Sequence, residues 1–233
     1  GSGKNHNTFS LMTKIVDTLR NTAINYLLKK KIAVTPGTPP ARLKELIRSL
    51  RPVTTDKPLI RLGPDSDGGY LVPDDLEGIK ACFSPGVSTV AGFEKDCANR
   101  GMDVFLADKS IEKLPETHAR FHFLKKFIGS TLSDDFITLD KWVEDELPDK
   151  TCDLLLQMDI EGYEYETIFS LSNQLQERFR IIVIEFHWMH LLWSKPFFDV
   201  CSRSFGKLLQ THSVVHIHPN NIGKTVSRNG MEI

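Results

Sequence analysis

Apolar residues recur every four positions near the start of the chain and predict a helix. This series consists of Leu11, Ile15, Leu19, Ala23 and Leu27. Three lysines follow at 29–31, a charge that suits a helix C-terminus. Packing on the domain, packing on a second copy of the chain and binding to a membrane surface or another partner all explain such a face. We expect it to support a homo-oligomer.

A second, shorter apolar series runs from Leu43 to Leu50 and stops before Pro52. The proline-rich segment 35–40 separates the two helical patterns and has the composition of a linker. We therefore predict that residues 1–55 form an N-terminal helical appendage and linker.

The pattern changes after residue 55, where β-prone runs begin. Runs at 59–62 and 70–72 flank a glycine turn and predict a hairpin. Six further apolar runs alternate with helical patterns, at 80–83, 104–107, 121–128, 154–158, 181–184 and 214–217. Continuous apolar strands separated by helices are typical of a mostly parallel sheet with helices on both faces. The sequence thus predicts an α/β fold, in which ligands bind at the carboxyl ends of the strands near the switch in strand order.

Charge and cysteine content narrow the possible partners. With 29 basic and 30 acidic residues the formal net charge is -1, so no global field favours nucleic acid. No apolar run approaches the roughly 20 residues of a membrane-spanning helix, and the start lacks the apolar core of a signal peptide. The four cysteines lie far apart and form no C-x-x-C pair. We expect a cytoplasmic protein with no transmembrane segment and no nucleic-acid partner.

The ends of the first two predicted sheet strands resemble a nucleoside site. The first strand runs into Ser84-Pro85-Gly86-Val87 and then a helix, whose free N–H groups would face a ligand. The second strand ends at Asp108, where a carboxylate can accept hydrogen bonds from both ribose hydroxyls. A dinucleotide loop that begins at Gly86 would need glycine at position 88, and this chain has Ser88. A cofactor without a pyrophosphate is therefore favoured.

Carboxylates and histidines gather at the ends of the last three predicted strands. Asp159 and Glu161 follow the fourth, Glu185 and His187 follow the fifth, and His216 and His218 belong to the sixth. Glu164 and Glu166 lie on the next helix, where acidic residues complement the N-terminal dipole. Trp188 is placed to wall a substrate pocket.

Two explanations of this cluster remain open. Asp159, Glu185 and His187, with His216 and His218, could bind a divalent metal, since mixed imidazole and carboxylate ligands suit several ions. Alternatively, His187 is a general base near neutral pH, oriented by Glu185 or Asp159, that removes a hydroxyl proton.

The chain resembles the FkbM-type methyltransferases, a branch of the class I enzymes that use S-adenosylmethionine. The resemblance spans roughly residues 59–221. It rests on the segments RLGPDSDGGYLV, FSPGVS, LADKS, ITLDKWV and above all LLLQMDIEGYEYETI. It implies a Rossmann-like class I sheet and O-methyl transfer, often to a sugar or another polyhydroxylated small molecule.

The resemblance also implies roles for individual residues. It places Ser84, Gly86 and Val87 at the methionine end of the cofactor, Asp108 at the ribose, Ile128-Gly129-Ser130 at the adenine edge and Asp159 near the reacting methyl. Lys109 is also expected to bind the cofactor. We expect Asp159, Glu185 and His187 to be catalytic. Glu161, Trp188, His216 and His218 are expected to contact a glycan-like acceptor.

This chain departs from the family pattern in two places. Many relatives begin the first loop with an aspartate in D-x-G-A-x-x-G, whereas this chain has Ser84. The sequence also ends about where the antiparallel seventh strand of a class I sheet would begin, so we expect a methyltransferase domain at 56–233 that lacks its last strand. Two rival functions remain, a metal-dependent hydrolase and a non-catalytic binding domain that uses the N-terminal helix.

Overall fold

The computed structural model describes residues 4–87, 89–219, 227–228 and 230–232. Its helices are α1 (Lys4–Lys29), α2 (Pro40–Ser49), α3 (Gly92–Asn99), α4 (Leu139–Glu146), α5 (Glu164–Ser170), α6 (Asn173–Arg178) and α7 (Lys195–Leu208), with a 3-10 helix at Met189–Trp193. Its strands are β1 (Leu59–Leu62), β2 (Tyr70–Pro73), β3 (Ala81–Pro85), β4 (Asp103–Ala107), β5 (Phe121–Leu124), β6 (Phe127–Ile128), β7 (Phe136–Ile137), β8 (Leu154–Met158), β9 (Phe179–Ile184), β10 (Ser227–Arg228) and β11 (Met231–Glu232).

A five-stranded parallel sheet in the order β5-β4-β3-β8-β9 forms the centre of the protein. All five residues of β3 and of β8 are buried, as expected for continuous apolar strands covered on both faces. The chain moves outward from β3 to β5 and then returns to the other side of β3 at β8. The switch in strand order therefore lies between the carboxyl ends of β3 and β8, which is where ligands bind in open α/β sheets.

The hairpin is confirmed, because β1 and β2 pair antiparallel from Leu59↔Pro73 to Leu62↔Tyr70. The predicted run at 121–128 is divided instead into β5, which joins the central sheet, and β6, which pairs with β7. A turn closed by the bond from the Lys126 N–H to the Leu124 carbonyl separates the two.

The predicted sixth strand is wrong, because residues 214–217 form no strand in the structure. The carbonyl of Val214 accepts a hydrogen bond from the Val53 N–H, so this segment runs beside the N-terminal part of the chain. His216 and His218 are exposed there. The β-branched pattern was misleading because exposed extended segments carry the same residues as strands.

The second helix is packed closely on the rest of the protein. Leu43 and Leu46 of α2 lie in an apolar cluster with Tyr165, Phe198 and Phe205. The preceding segment is also tied down, since the Thr38 hydroxyl donates to the Leu192 carbonyl at 2.6 Å. The division into 1–55 and 56–233 stays a prediction.

Helix α1 leaves much of its apolar face in solvent. Ile15, Val16, Leu19 and Tyr26 are all more than half exposed. The homo-oligomer expected from this face stays a prediction. In the described part of the chain, no helix combines the length and the apolarity needed to cross a membrane.

Candidate active site

The loops after β3 and β8 touch at the switch point, and a glycine makes this contact possible. Gly86 has a φ of +92°, and a β-carbon placed on it would overlap the carbonyl oxygen of Asp159. The Asp159 N–H donates to the Pro85 carbonyl at 3.2 Å. Only glycine fits this position. Gly86 thus fixes the position of the Asp159 backbone, independently of any contact that Gly86 makes with a cofactor.

The side chains on either side of Gly86 point into the core. Ser84 is fully buried, and its hydroxyl lies 2.5 Å from Glu94 Oε1 and 2.6 Å from Gln157 Oε1. Burial raises the pKa of the Glu94 carboxyl. Val87 is buried as well. The methionine-end role expected of Ser84 and Val87 would therefore fall to their backbone, and Ser88 lies outside the described residues.

Asp108 stands at the carboxyl end of β4, where the ribose carboxylate was expected. Its Oδ1 accepts bonds from the Ser110 N–H and hydroxyl, each at 2.7 Å. Its Oδ2 accepts no hydrogen bond from the residues that the structure describes. The neighbouring Lys109 forms an ion pair with Asp135.

The predicted adenine edge is held to helix α5. Ile128 is buried, while the Ser130 N–H and hydroxyl donate to Glu166 Oε1 at 3.3 and 3.1 Å. Glu166 thus has a specific partner in addition to its place near the helix N-terminus.

The loop after β8 has an unusual backbone that Glu164 stabilises. Glu161 and Gly162 both have positive φ, +55° and +105°. The fully buried Glu164 accepts hydrogen bonds through Oε1 from the N–H groups of Ile160 at 3.1 Å and Gly162 at 3.2 Å. These two bonds hold the backbone of the loop that leads into α5.

Glu164 also contacts His187, at the end of β9. Glu164 Oε1 lies 3.0 Å from His187 Nδ1. The other ring nitrogen, Nε2, lies 3.3 Å from Glu161 Oε2 and 3.7 Å from Asp159 Oδ1. The Tyr165 hydroxyl donates to the His187 carbonyl at 2.5 Å and so fixes the backbone. The carboxylate that orients His187 is therefore Glu164, in place of the Glu185 or Asp159 expected from the sequence.

Two groups of this site have pKa values shifted upward. Partial burial of His187 opposes protonation, but Glu164 and Asp159 outweigh it, so the pKa of His187 is raised above its usual value of 6.5. Burial, followed by the charge of Glu185, raises the pKa of Asp159 from 3.8 to about 7. Asp159 Oδ1 is also a buried oxygen without a hydrogen-bond partner among the described residues.

The same cluster has the composition of a cation site. Asp159, Glu161 and His187 each offer a ligand atom, and these atoms lie within 4.8 Å of one another. Glu161 occupies the place in this group that the sequence had suggested for Glu185. Glu185 lies instead beside Tyr70, and the Tyr70 hydroxyl oxygen is 3.4 Å from Glu185 Oε2.

The remaining predicted acceptor residues fall into two groups. Trp188 is half exposed, and its ring lies against Gly162, where any side chain would collide with it. His216 and His218 stack on each other with ring centroids 6.3 Å apart. Within the described residues, no hydrogen bond or ion pair joins these two histidines to the strand-end carboxylates. Their contact with an acceptor stays a prediction.

Sequence reasoning missed three residues of this region. It interpreted Glu164 only as a helix-dipole residue, and it gave no role to Tyr70 or Glu94. The available signal for Glu164 was its place after one strand of the sheet, together with His187 at the end of the next strand. Nothing local marks Tyr70, because its partner lies 115 positions away in the sequence.

Comparison with known protein families identifies a domain in this chain. Residues 90–211, just over half of the chain, match the methyltransferase FkbM domain. No curated protein and no solved structure matches significantly. The match confirms the resemblance seen in the sequence, and the parallel five-stranded sheet confirms the Rossmann-like α/β fold. The chain therefore belongs to the FkbM methyltransferase family.

Proposed function

We propose that the protein transfers a methyl group from S-adenosylmethionine to a hydroxyl of a sugar or another polyhydroxylated small molecule. The observation that carries this proposal is His187, held at 3.0 Å by the buried Glu164 and placed beside Asp159. An imidazole fixed through Nδ1 leaves Nε2 directed toward a reactant, which is the arrangement of an oriented general base. Family membership favours methyl transfer over the hydrolase alternative.

The residues around the switch point fit S-adenosylmethionine. Asp108 retains a carboxylate oxygen for a ribose hydroxyl, and Ser130, just after β6, is held by Glu166 of α5. Asp159 provides a carboxyl oxygen without a hydrogen-bond partner among the described residues, near the place expected for the reacting group. When bound, this cofactor supplies a methyl group already activated by its sulfonium. The protein therefore has to align a hydroxyl with that methyl and remove the proton of the hydroxyl.

With S-adenosylmethionine bound, its methyl group would pass to the acceptor oxygen as the carbon–sulfur bond breaks, and S-adenosylhomocysteine would leave. The hydroxyl proton passes to His187 Nε2. Glu164 accepts the Nδ1–H of the ring and stabilises the imidazolium that forms, and Glu161 and Asp159 add negative charge on the Nε2 side. Trp188 offers an exposed aromatic face next to these carboxylates, a combination that suits a ring with several hydroxyl groups.

The first experiment tests the cofactor. Calorimetry with S-adenosylmethionine and S-adenosylhomocysteine should show binding to the wild type and weaker binding to Asp108→Ala. Asp134→Ala is a matched control, because Asp134 is exposed and was assigned no role. Absence of binding of either compound to the wild type would overturn the proposed function.

The second experiment tests the base. Transfer of radiolabelled methyl from S-adenosylmethionine to a panel of mono- and disaccharides identifies an acceptor. On that acceptor His187→Ala should lower kcat by roughly 10²–10⁴. His190→Ala, an exposed histidine three positions later, should stay near wild type. An unchanged kcat for His187→Ala would remove the base assignment.

A divalent cation is tested separately, because Asp159, Glu161 and His187 can also act as ligands. The general-base proposal predicts that activity survives treatment with a chelator. Loss of activity, followed by recovery when magnesium, manganese or zinc is returned, would favour a metal site in place of the base.

A further inference from the structure

Tyr70 reaches the active site from outside the segment that matches the family. It belongs to β2 of the N-terminal hairpin, whereas the family match covers residues 90–211. The Tyr70 hydroxyl lies 3.4 Å from Glu185 Oε2. Its ring packs edge-on against Phe93 of α3, with centroids 5.7 Å apart. The hairpin thus places one phenol beside the strand-end carboxylates.

The hairpin is built to hold this position closely. The Gly63 N–H donates to Asp96 Oδ2 of α3 at 2.8 Å. Arg61 donates to the Pro64 and Gly69 carbonyls at 3.3 and 3.0 Å across the turn. A β-carbon on Gly69 would overlap the Pro64 carbonyl oxygen, so the residue before Tyr70 has to be glycine.

A line of buried polar groups leads from α3 to Tyr70. Ser84 Oγ is in contact with oxygen atoms of both Glu94 and Gln157, yet a hydroxyl carries only one hydrogen. The Ser84 hydroxyl therefore donates to one of these two oxygens at a time. Burial raises the pKa of the Glu94 carboxyl at the start of this line.

The same line continues to Glu185. Gln157 hydrogen-bonds to the Tyr70 side chain through its remaining amide group. Burial, then the charges of Asp159 and Glu185, raise the pKa of Tyr70, so it stays a neutral donor.

We propose that Tyr70 is a positioning residue for methyl transfer, whose hydroxyl holds Glu185 beside Asp159 at the carboxyl ends of β8 and β9. The inference rests on the proposed function. Asp159 and Glu185 repel each other as carboxylates at this edge, and Tyr70 donates a hydrogen bond to Glu185. Loss of this bond would let the Glu185 side chain shift, and the reactants would lose part of their alignment.

A double-mutant cycle tests this role. Tyr70→Phe keeps the ring on Phe93 and removes only the hydroxyl, and Glu185→Ala removes the acceptor. We expect Tyr70→Phe to lower kcat about tenfold, the loss of one hydrogen bond to a charged group. The dissociation constant of S-adenosylhomocysteine should change less than twofold. In the Glu185→Ala background the same substitution should change kcat less than twofold, because the acceptor is already absent.

The matched control is Tyr26→Phe, at an exposed tyrosine on α1, which should leave both kcat and the dissociation constant unchanged. Thermal unfolding of each variant separates a general loss of fold from a loss of alignment. Unchanged kcat in Tyr70→Phe, or equal losses in both backgrounds, would overturn the role of Tyr70. A wild type that transfers no methyl group to the saccharide panel and binds no cofactor would overturn the proposed function, and this inference with it.

Discussion

The charge of Glu164 can be removed with almost no change of shape, by Glu164→Gln. Glu164 is fully buried, and one of its oxygens meets three groups, the N–H of Ile160, the N–H of Gly162 and Nδ1 of His187. The amide oxygen of glutamine can still accept from the two backbone N–H groups. It cannot supply the negative charge that stabilises the imidazolium of His187.

The expected size of the effect follows from one interaction. A hydrogen bond to a charged group contributes about 1.5–3 kcal/mol, and each 1.4 kcal/mol corresponds to a tenfold change in rate. If that energy is expressed mainly when His187 takes the proton, kcat should fall roughly 10- to 100-fold. Glu164 raises the pKa of His187, so its removal should also lower that pKa and move the acidic limb of the kcat profile to lower pH.

Steady-state methyl transfer between pH 5.5 and 9 measures both quantities. Glu166→Gln is the matched control, since Glu166 is exposed, lies one position beyond Tyr165 on the same helix and bonds to Ser130. It should leave kcat intact and affect cofactor affinity at most. A Glu164→Gln protein that keeps both the wild-type kcat and the wild-type acidic limb would refute the reasoning.

Three further predictions concern backbone, pH and the loop at β8. Gly86→Ala should lower the free energy of unfolding by about 1–3 kcal/mol because of its positive φ, and by more because of the overlap with Asp159. Gly101→Ala has the same φ of +92° and nothing within 4 Å, so a urea titration of that variant measures the effect of φ alone. Asp159 binds its proton more tightly in the folded than in the unfolded protein, so it stabilises the fold at low pH, and this stabilisation is lost as the pH rises from about 4 through about 7. Asp159→Asn should therefore raise the melting temperature at pH 8 and leave it nearly unchanged at pH 4. Equal shifts at both pH values would contradict this prediction. Gly162→Ala should displace the ring of Trp188, seen as a change in its fluorescence, and weaken acceptor binding while cofactor binding persists.

The parallel sheet could be predicted because its strands are buried on both faces. Runs such as 154–158 are apolar at four of five positions, and this pattern depends on few distant contacts. The segment 214–217 shows the limit of the method. Its composition is that of a strand, but its backbone partner is Val53. A contact between residues so far apart in the sequence cannot be predicted from the residues next to either of them.

The site could be predicted only as far as strand ends determine it. Asp159 and His187 follow buried strands, so topology alone brings them together. Glu164 and Glu166 are identical side chains two positions apart on one helix, yet the first is fully buried against His187 and the second lies in solvent beside Ser130. Which of the two enters the site depends on the rotation of α5, and this is set by packing that the sequence does not display.

The position of β3 between β4 and β8 bears on how this family is divided into modules. The matched segment begins at Val90, so it omits the strand on which both halves of the central sheet depend. A fragment cut to the matched residues would have two unpaired inner edges, each a template for intermolecular pairing. Such a fragment should aggregate, and expression trials or domain swaps in this family will need a boundary placed before the hairpin at residue 59.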